Sequence, residues 1–166
     1  MPNILRIIEW NINGRSGYMQ YTIPKFIIDE IMIHNPEADI VVLTEFVMAS
    51  GWDYIREVLE KKYHLFTSPY ISGQNGVLIA IRKNKEGLEA DSAIVSSDLN
   101  TAQIEKPNYL QVSVLFNNKP ITIIGTRIRV ETSNDTTEEQ KKSFKYEQFK
   151  ALDNHLSSMH DKYVIC

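Results

Sequence analysis

The sequence predicts a layered α/β domain built on mixed sheets. Three observations predict it. Two near-continuous apolar runs, "DIVVLTEF" at 39–46 and "GVLIAIR" at 76–82, have the pattern of strands covered on both faces. Amphipathic helical stretches alternate with strands through the first half. The second half carries two alternating strands around Asn117-Asn118, a hairpin, so the sheet is not purely parallel.

Taken in order, residues 4–10 read as a strand with Arg6 as its one discordant member. Residues 21–35 read as a helix: Thr22 is a candidate cap, Pro24 suits a first turn, and Ile23, Ile27 and Ile31 recur on one face. Pro36 disfavours helix at Asn35 and ends it. After the strand at 39–46 comes a short amphipathic helix at 51–62 and a strand at 63–68. The turn Gln74-Asn75-Gly76 opens the buried strand at 76–82. Residues 84–107 are polar and irregular, with a strand at 92–96. The hairpin then pairs 108–116 with 121–130. Thr136 and Glu139 match a capping box. The helix it opens runs to about 159 and carries Phe144, Phe149, Leu152, Leu156 and Met159 as its apolar stripe. "KYVIC" begins one more strand.

The totals bound the function classes. A chain of 166 residues is one domain, and 43% apolar with 23% charged residues is globular composition. No apolar run reaches the roughly 18–20 residues that span a bilayer, so no transmembrane segment is expected. The N-terminus has no secretory pattern, and a lone cysteine, Cys166, cannot form an internal disulfide; a cytoplasmic location is the expectation. A net charge of −3 argues against holding nucleic acid by bulk electrostatics. It leaves room for an enzyme that grips phosphate with a few local cations and a metal.

Four groups of residues could carry chemistry. Glu45 closes a buried strand, where a carboxylate serves as metal ligand, general base or solvated strand end. On position alone the last is the simplest. Asn11 and Asn13 leave the first strand on alternate positions, and an amide there can orient a carboxylate, donate to phosphate or offer its carbonyl to a hard cation. Asn13-Gly14 is also a strong turn dipeptide. Arg127 and Arg129 fall on one face of an extended strand, either as a phosphate clamp or as a solvated face. His34, His64, His155 and His160 lack metal-ligand spacing, and His155 reads as a helix-surface residue.

The order of these features is more specific than any one of them. A strand ending in W-N-x-N-G, a helix, the "ADIVVLTE" strand, the "NGVLIAIR" strand and a late hairpin ending in a polar group resemble the endonuclease/exonuclease/phosphatase superfamily. This is the family of DNase I and the exonuclease III-like nucleases. The resemblance covers nearly the whole chain and implies a DNase I-like αββα sandwich with mixed sheets. It implies a phosphoesterase acting with Mg²⁺ or Mn²⁺ on a phosphodiester or phosphomonoester. Glu45 matches the family's metal-binding glutamate, and Asn11 its asparagine beside metal and phosphate. Asn13 stands where the nuclease branch often has aspartate, which implies a weaker metal contact. Arg127 stands where many members have histidine or tyrosine against the scissile phosphate. Asn75 is implied to line the cleft, with Asn13 and Arg129 as further substrate contacts.

The family continues past a strand like "KYVIC" into Gly-Asp-x-Asn and Ser-Asp-His motifs, which lie outside residues 1–166. The resemblance therefore implies the N-terminal two-thirds of one domain, incomplete at its C-terminus and inactive alone. An incomplete second sheet would leave an apolar face, to be covered by a second copy, a missing C-terminal segment or a separate fragment. The family's substrates include DNA, RNA, nucleotides and lipid head groups. The acidic balance and the absence of a basic cluster in 84–107 tilt away from a duplex-gripping enzyme. The other reading is a degenerate relative that binds without catalysis.

Overall fold

The computed structural model describes residues 4–14, 22–48, 51–69, 75–99, 102, 105–131, 135–159 and 163–165, without the side chains of 22, 23, 92 and 163–165. The expected cap at Thr22, and Gln74, His160 and Cys166, lie outside what is described. The elements are β1 (Ile7–Asn11), α1 (Thr22–Asp29), β2 (Ile40–Phe46), α2 (Trp52–Leu59), β3 (Tyr63–Thr67), β4 (Gly76–Arg82), β5 (Leu88–Ser96), β6 (Asn108–Phe116), β7 (Lys119–Arg127), α3 (Glu138–Ser157) and β8 (Tyr163–Ile165). Past Asp29, α1 widens into a π-helical turn, Glu30–His34, which Asn35 closes by donating its backbone N–H to the Glu30 carbonyl, 3.0 Å. No helix among the described residues is long and apolar enough to cross a membrane.

The strands form two sheets of four, ordered β1-β2-β4-β3 and β5-β6-β7-β8. The pairs β1–β2 and β7–β8 are parallel and the others antiparallel, so both sheets are mixed. The apolar runs follow from burial on both faces. Ile40, Val42, Val77, Ile79 and Ile81 point between the sheets, against Leu110, Val112 and Ile123. Val41, Leu43, Leu78 and Ala80 point the other way, under α1 and α2. Ile124, Tyr109 and Leu99 pack under Ala151, Leu152 and Leu156 of α3. The layers are thus α, β, β, α, the predicted DNase I-like sandwich.

Four strands face four, so the expectation that much of the second sheet is absent is not met among the described residues. Gly125 sets how closely the sheets approach. A Cβ there would overlap Val77 Cγ1 and stand 3.1 Å from Val42 Cγ1.

Four local expectations are corrected. The capping box is Thr137–Gln140, one residue later than predicted: Thr137 Oγ1 accepts from the Gln140 N–H at 3.2 Å and Gln140 Oε1 from the Thr137 N–H at 2.8 Å. The sequence "TTEEQ" satisfies the motif in two registers. The observed register turns Gln148 and Ala151 inward and leaves Phe149 56% exposed, off the apolar stripe. His155 is half-buried rather than a surface residue, its Nε2 lying 2.8 Å from the Tyr109 hydroxyl and 3.1 Å from Gln111 Oε1. β7 ends at Arg127, not at 130, because β6 starts at Asn108 opposite it and Pro107 has no N–H to continue the ladder. The hairpin turn itself is as predicted: Asn117 and Asn118 have φ of 51° and 61°, the doubly left-handed turn that matches strand twist.

Candidate functional site

The C-terminal ends of β1, β2 and β7 and the N-terminal ends of β4 and β6 meet at one mouth of the sandwich. On strict alternation Glu45 would follow Leu43 toward the helices. It does not, because the chain bulges there. The pairing with β4 shifts between Thr44 and Phe46, and Glu45 adopts φ 54°. Phe46 takes the helix-side place, stacked edge-on against Trp52 at 5.2 Å. Glu45 is released toward the second sheet. A bulge is the standard device for re-aiming one side chain, and left-handed backbone at a residue with a Cβ costs about 1–2 kcal/mol.

Arg127 meets it from the other sheet. Arg127 continues the inward-facing series Ile121, Ile123, Gly125, and its Nε donates to Glu45 Oε1 at 3.0 Å. Both side chains are partly open to solvent, 24% and 19%. The close approach that Gly125 permits is what lets a guanidinium on one sheet reach a carboxylate on the other.

Asn11 and Asn13 are not the extended pair that alternation predicts. The Asn11 side-chain oxygen accepts the Asn13 N–H at 2.9 Å, and Asn13 and Gly14 both turn left-handed, φ 49° and 67°. The turn reading and the site reading coexist, since the turn is fastened onto the bulge. Ile12 N–H donates to the Thr44 carbonyl at 3.0 Å and Gly14 N–H to the Glu45 carbonyl at 2.8 Å. Asn11, which lies beside Thr44 in the β1–β2 register, stays exposed at the mouth. Asn75 stands over the same turn: a Cβ on Gly14 would be 3.5 Å from its Oδ1.

Arg129 is placed differently. Its Nη2 pairs with Glu105 at 3.1 Å, its Nε donates to the Lys106 carbonyl at 2.9 Å, and it lies 5.3 Å from the Phe144 ring centroid. Gln148 takes up its backbone N–H and carbonyl, at 2.7 and 3.0 Å. It fastens the 105–107 segment to α3 and does not stand beside Arg127 as a clamp.

Asn108 was not anticipated. It faces Arg127 across the hairpin and its Nδ2 donates to the Asn75 carbonyl, tying the two sheets together at the mouth. Counting outward from the Asn117-Asn118 turn places Asn108 opposite Arg127, so the signal was available. Among the described residues no group of three or more His, Cys, Asp or Glu is placed to hold a metal. The donors at the mouth are the Glu45 carboxylate and the Asn11 amide.

No family model and no curated protein matches the chain. Several solved structures do. Zebrafish TDP2 complexed with a single-strand DNA product has TM-score 0.63 at 16% identity, over 96% of this chain and 58% of that one. An AP endonuclease from Archaeoglobus fulgidus has TM-score 0.61 at 19% identity, over 95% and 53%. The human Nocturnin catalytic domain with bound sulfate anion has TM-score 0.64 at 15% identity, over 96% and 62%. All share the DNase I-like fold, and the chain spans less than two-thirds of each. At these identities the likeness is one of fold.

Proposed function

We propose that this chain carries the Glu45 half of a divalent-metal-dependent phosphoesterase site, acting on a phosphodiester or phosphomonoester. The observation that carries the reading is Glu45 itself. A glutamate is held in left-handed backbone, at a bulge, so that its carboxylate leaves the helix side and enters the mouth between the sheets opposite an arginine. Strain of this kind gathers at functional sites. A sulfate anion in one similar structure and a DNA product in another support a phosphate-type ligand for the fold.

The donors fit Mg²⁺ or Mn²⁺. Such ions take oxygen ligands, keep several waters and are held by one or two carboxylates plus substrate phosphate. Glu45 supplies the carboxylate and Asn11 an amide oxygen. When bound, the metal supplies Lewis-acid polarisation of a phosphoryl oxygen. Arg127 binds the phosphate oxygens, for which its planar fork is suited, and meanwhile neutralises Glu45. Asn75 and Asn13 border the substrate, and Asn108 holds Asn75 in place. Arg129 orders the 105–107 segment and with it the start of β6. β8 runs parallel to β7 with Ile165 beside Ile123, so its direction is toward Gly125 and Arg127. A segment entering there would bring the remaining catalytic groups, and the chain alone would turn over slowly or not at all.

The second reading, a binding module without catalysis, is favoured by one observation: the sole carboxylate facing Arg127 is already paired with it. Hydrolysis of a bis-nitrophenyl phosphate with Mg²⁺ or Mn²⁺ separates the two. Metal-dependent turnover that Glu45→Gln removes supports the esterase. Undiminished turnover in Glu45→Gln, with metal present, overturns it. Metal-dependent phosphate binding without turnover favours the module.

A further inference from the structure

Beside the Glu45–Arg127 pair, on the β4–β6 side of the mouth, lies a cavity of about 170 Å³. Its walls include Phe46, Met48, Pro69, Pro107 and Tyr109, with Asn108 and Ser97 at the side of the second sheet. It touches the site at three points. Phe46 directly follows Glu45, Asn75 stands over the Gly14 turn, and Asn108 is the register partner of Arg127.

Two properties restrict what the cavity accepts. None of its lining residues is charged. Burying a charged group against such walls without a partner is costly, so a second phosphate is excluded. Its size is the other restriction. Ligand pockets for drug-sized molecules run to about 300–1,000 Å³. A dry apolar cavity of about 150 Å³ holds one benzene ring. At about 170 Å³, this one takes one six-membered ring and not a fused pair. The flat surfaces of proline, tyrosine and phenylalanine suit a ring's faces, and the Ser97 and Asn108 side chains can meet polar atoms on its rim.

We propose that this cavity is a subsite for a single uncharged six-membered ring carried by the phosphate ester, an aryl group or a pyrimidine base. The proposal rests on the phosphoesterase reading for the position of the phosphate, but the ring site is defined by its own walls. It makes the ester's substituent, rather than a run of backbone phosphates, the recognised feature. That agrees with a chain of net charge −3, which offers little bulk attraction to a polyanion.

The test uses the 166-residue chain labelled at its methionine methyl groups, with the Met48 signal assigned by Met48→Leu. With Mg²⁺ present, it is titrated with methyl phosphate, phenyl phosphate, thymidine 5′-phosphate and deoxyadenosine 5′-phosphate. Phenyl phosphate or thymidine 5′-phosphate should shift Met48 by ring current and bind about tenfold more tightly than methyl phosphate. The stronger of the two identifies the ring as aryl or pyrimidine, and the purine should gain nothing. Ser97→Phe, a surface change that fills the cavity, should remove the shift and the gain while methyl phosphate binds as before. Ring phosphates that bind no better than methyl phosphate, or that bind with Met48 unmoved, would overturn the subsite. If no phosphate binds and Glu45→Gln changes nothing, the phosphoesterase reading fails. Phenol or thymine moving Met48 in the parent chain but not in Ser97→Phe would still uphold the ring site.

Discussion

The two ends of β2 carry one carboxylate each, and they are treated in opposite ways. Asp39, just before the strand, is fully buried. It pairs with Arg82 at 3.2 Å and Lys85 at 3.3 Å and accepts the Arg6 N–H at 3.0 Å. Around it the chain closes itself: Lys62 and Arg82 donate to the Pro36 carbonyl, and the buried Tyr63 hydroxyl donates to the Ala38 carbonyl at 3.1 Å. Glu45, at the other end, is reached by one cation, is open to solvent and sits in backbone that its residue type disfavours. The same strand thus ends once in a sealed anchor and once in an available ligand. What distinguishes them is coordination, not residue type: a carboxylate with three donors is committed to the fold, while one with a single movable partner can take another.

Substitutions at the two ends should separate stability from binding. The largest effect is expected for Glu45→Gln. It should weaken metal-dependent phosphate binding about a hundredfold, which is about 2.7 kcal/mol, and leave the urea midpoint nearly unchanged, because the ion pair it breaks is partly solvated. Asp39→Asn should do the reverse. Removing one partner of a buried ion pair costs about 3–5 kcal/mol, read as a lower urea midpoint, while phosphate binding by the folded fraction stays normal. Comparable loss of binding in both variants would break the comparison. Gly125→Ala comes next. The added methyl meets Val77 between the sheets and should cost about 1–3 kcal/mol. Because Gly125 precedes Arg127 on the same face, it should also weaken phosphate binding, which a purely structural change at the Asp39 end would not.

The smallest effect belongs to Tyr63. Burial raises its pKa above the ordinary value of 10.0. The folded state therefore holds the phenol proton more tightly than the unfolded state. The resulting stability is complete below the unfolded pKa near 10 and is lost as pH rises through the folded value. Lys62 shifts downward, by burial and then by the charge of Arg82, so its contribution runs the other way with pH. Tyr63→Phe should cost about 1 kcal/mol at neutral pH and flatten the alkaline limb of a stability profile. An unchanged limb would show that the Asp39 end is less sealed than its geometry indicates.

The strands at this site were legible where burial wrote a pattern. "GVLIAIR" is β4 from end to end because both of its faces are covered, and the Asn117-Asn118 turn fixes the β6–β7 register. Glu45 was legible as a strand tip, but the bulge that aims it was not. A left-handed glutamate has no sequence signature, and the bulge is recognised only by the side on which Phe46 packs. Asn11 and Asn13 show both properties of their motif at once, a turn and an open amide. Arg129 was misleading because its partners Glu105, Lys106, Phe144 and Gln148 come from two distant segments that periodicity cannot bring together. Gln148 was hidden for the same reason: a buried glutamine in a helix is polar by composition and core by position, and only the Arg129 backbone it satisfies explains it.

The central claim is that the bulge at Glu45 presents a metal-binding carboxylate at the mouth of the sandwich. Water-proton relaxation by Mn²⁺, titrated with inorganic phosphate into the parent chain and Glu45→Gln, tests it most directly. The account predicts tight, phosphate-enhanced Mn²⁺ binding that the substitution weakens about a hundredfold. Equal Mn²⁺ binding by the two proteins, at every phosphate concentration, would contradict it.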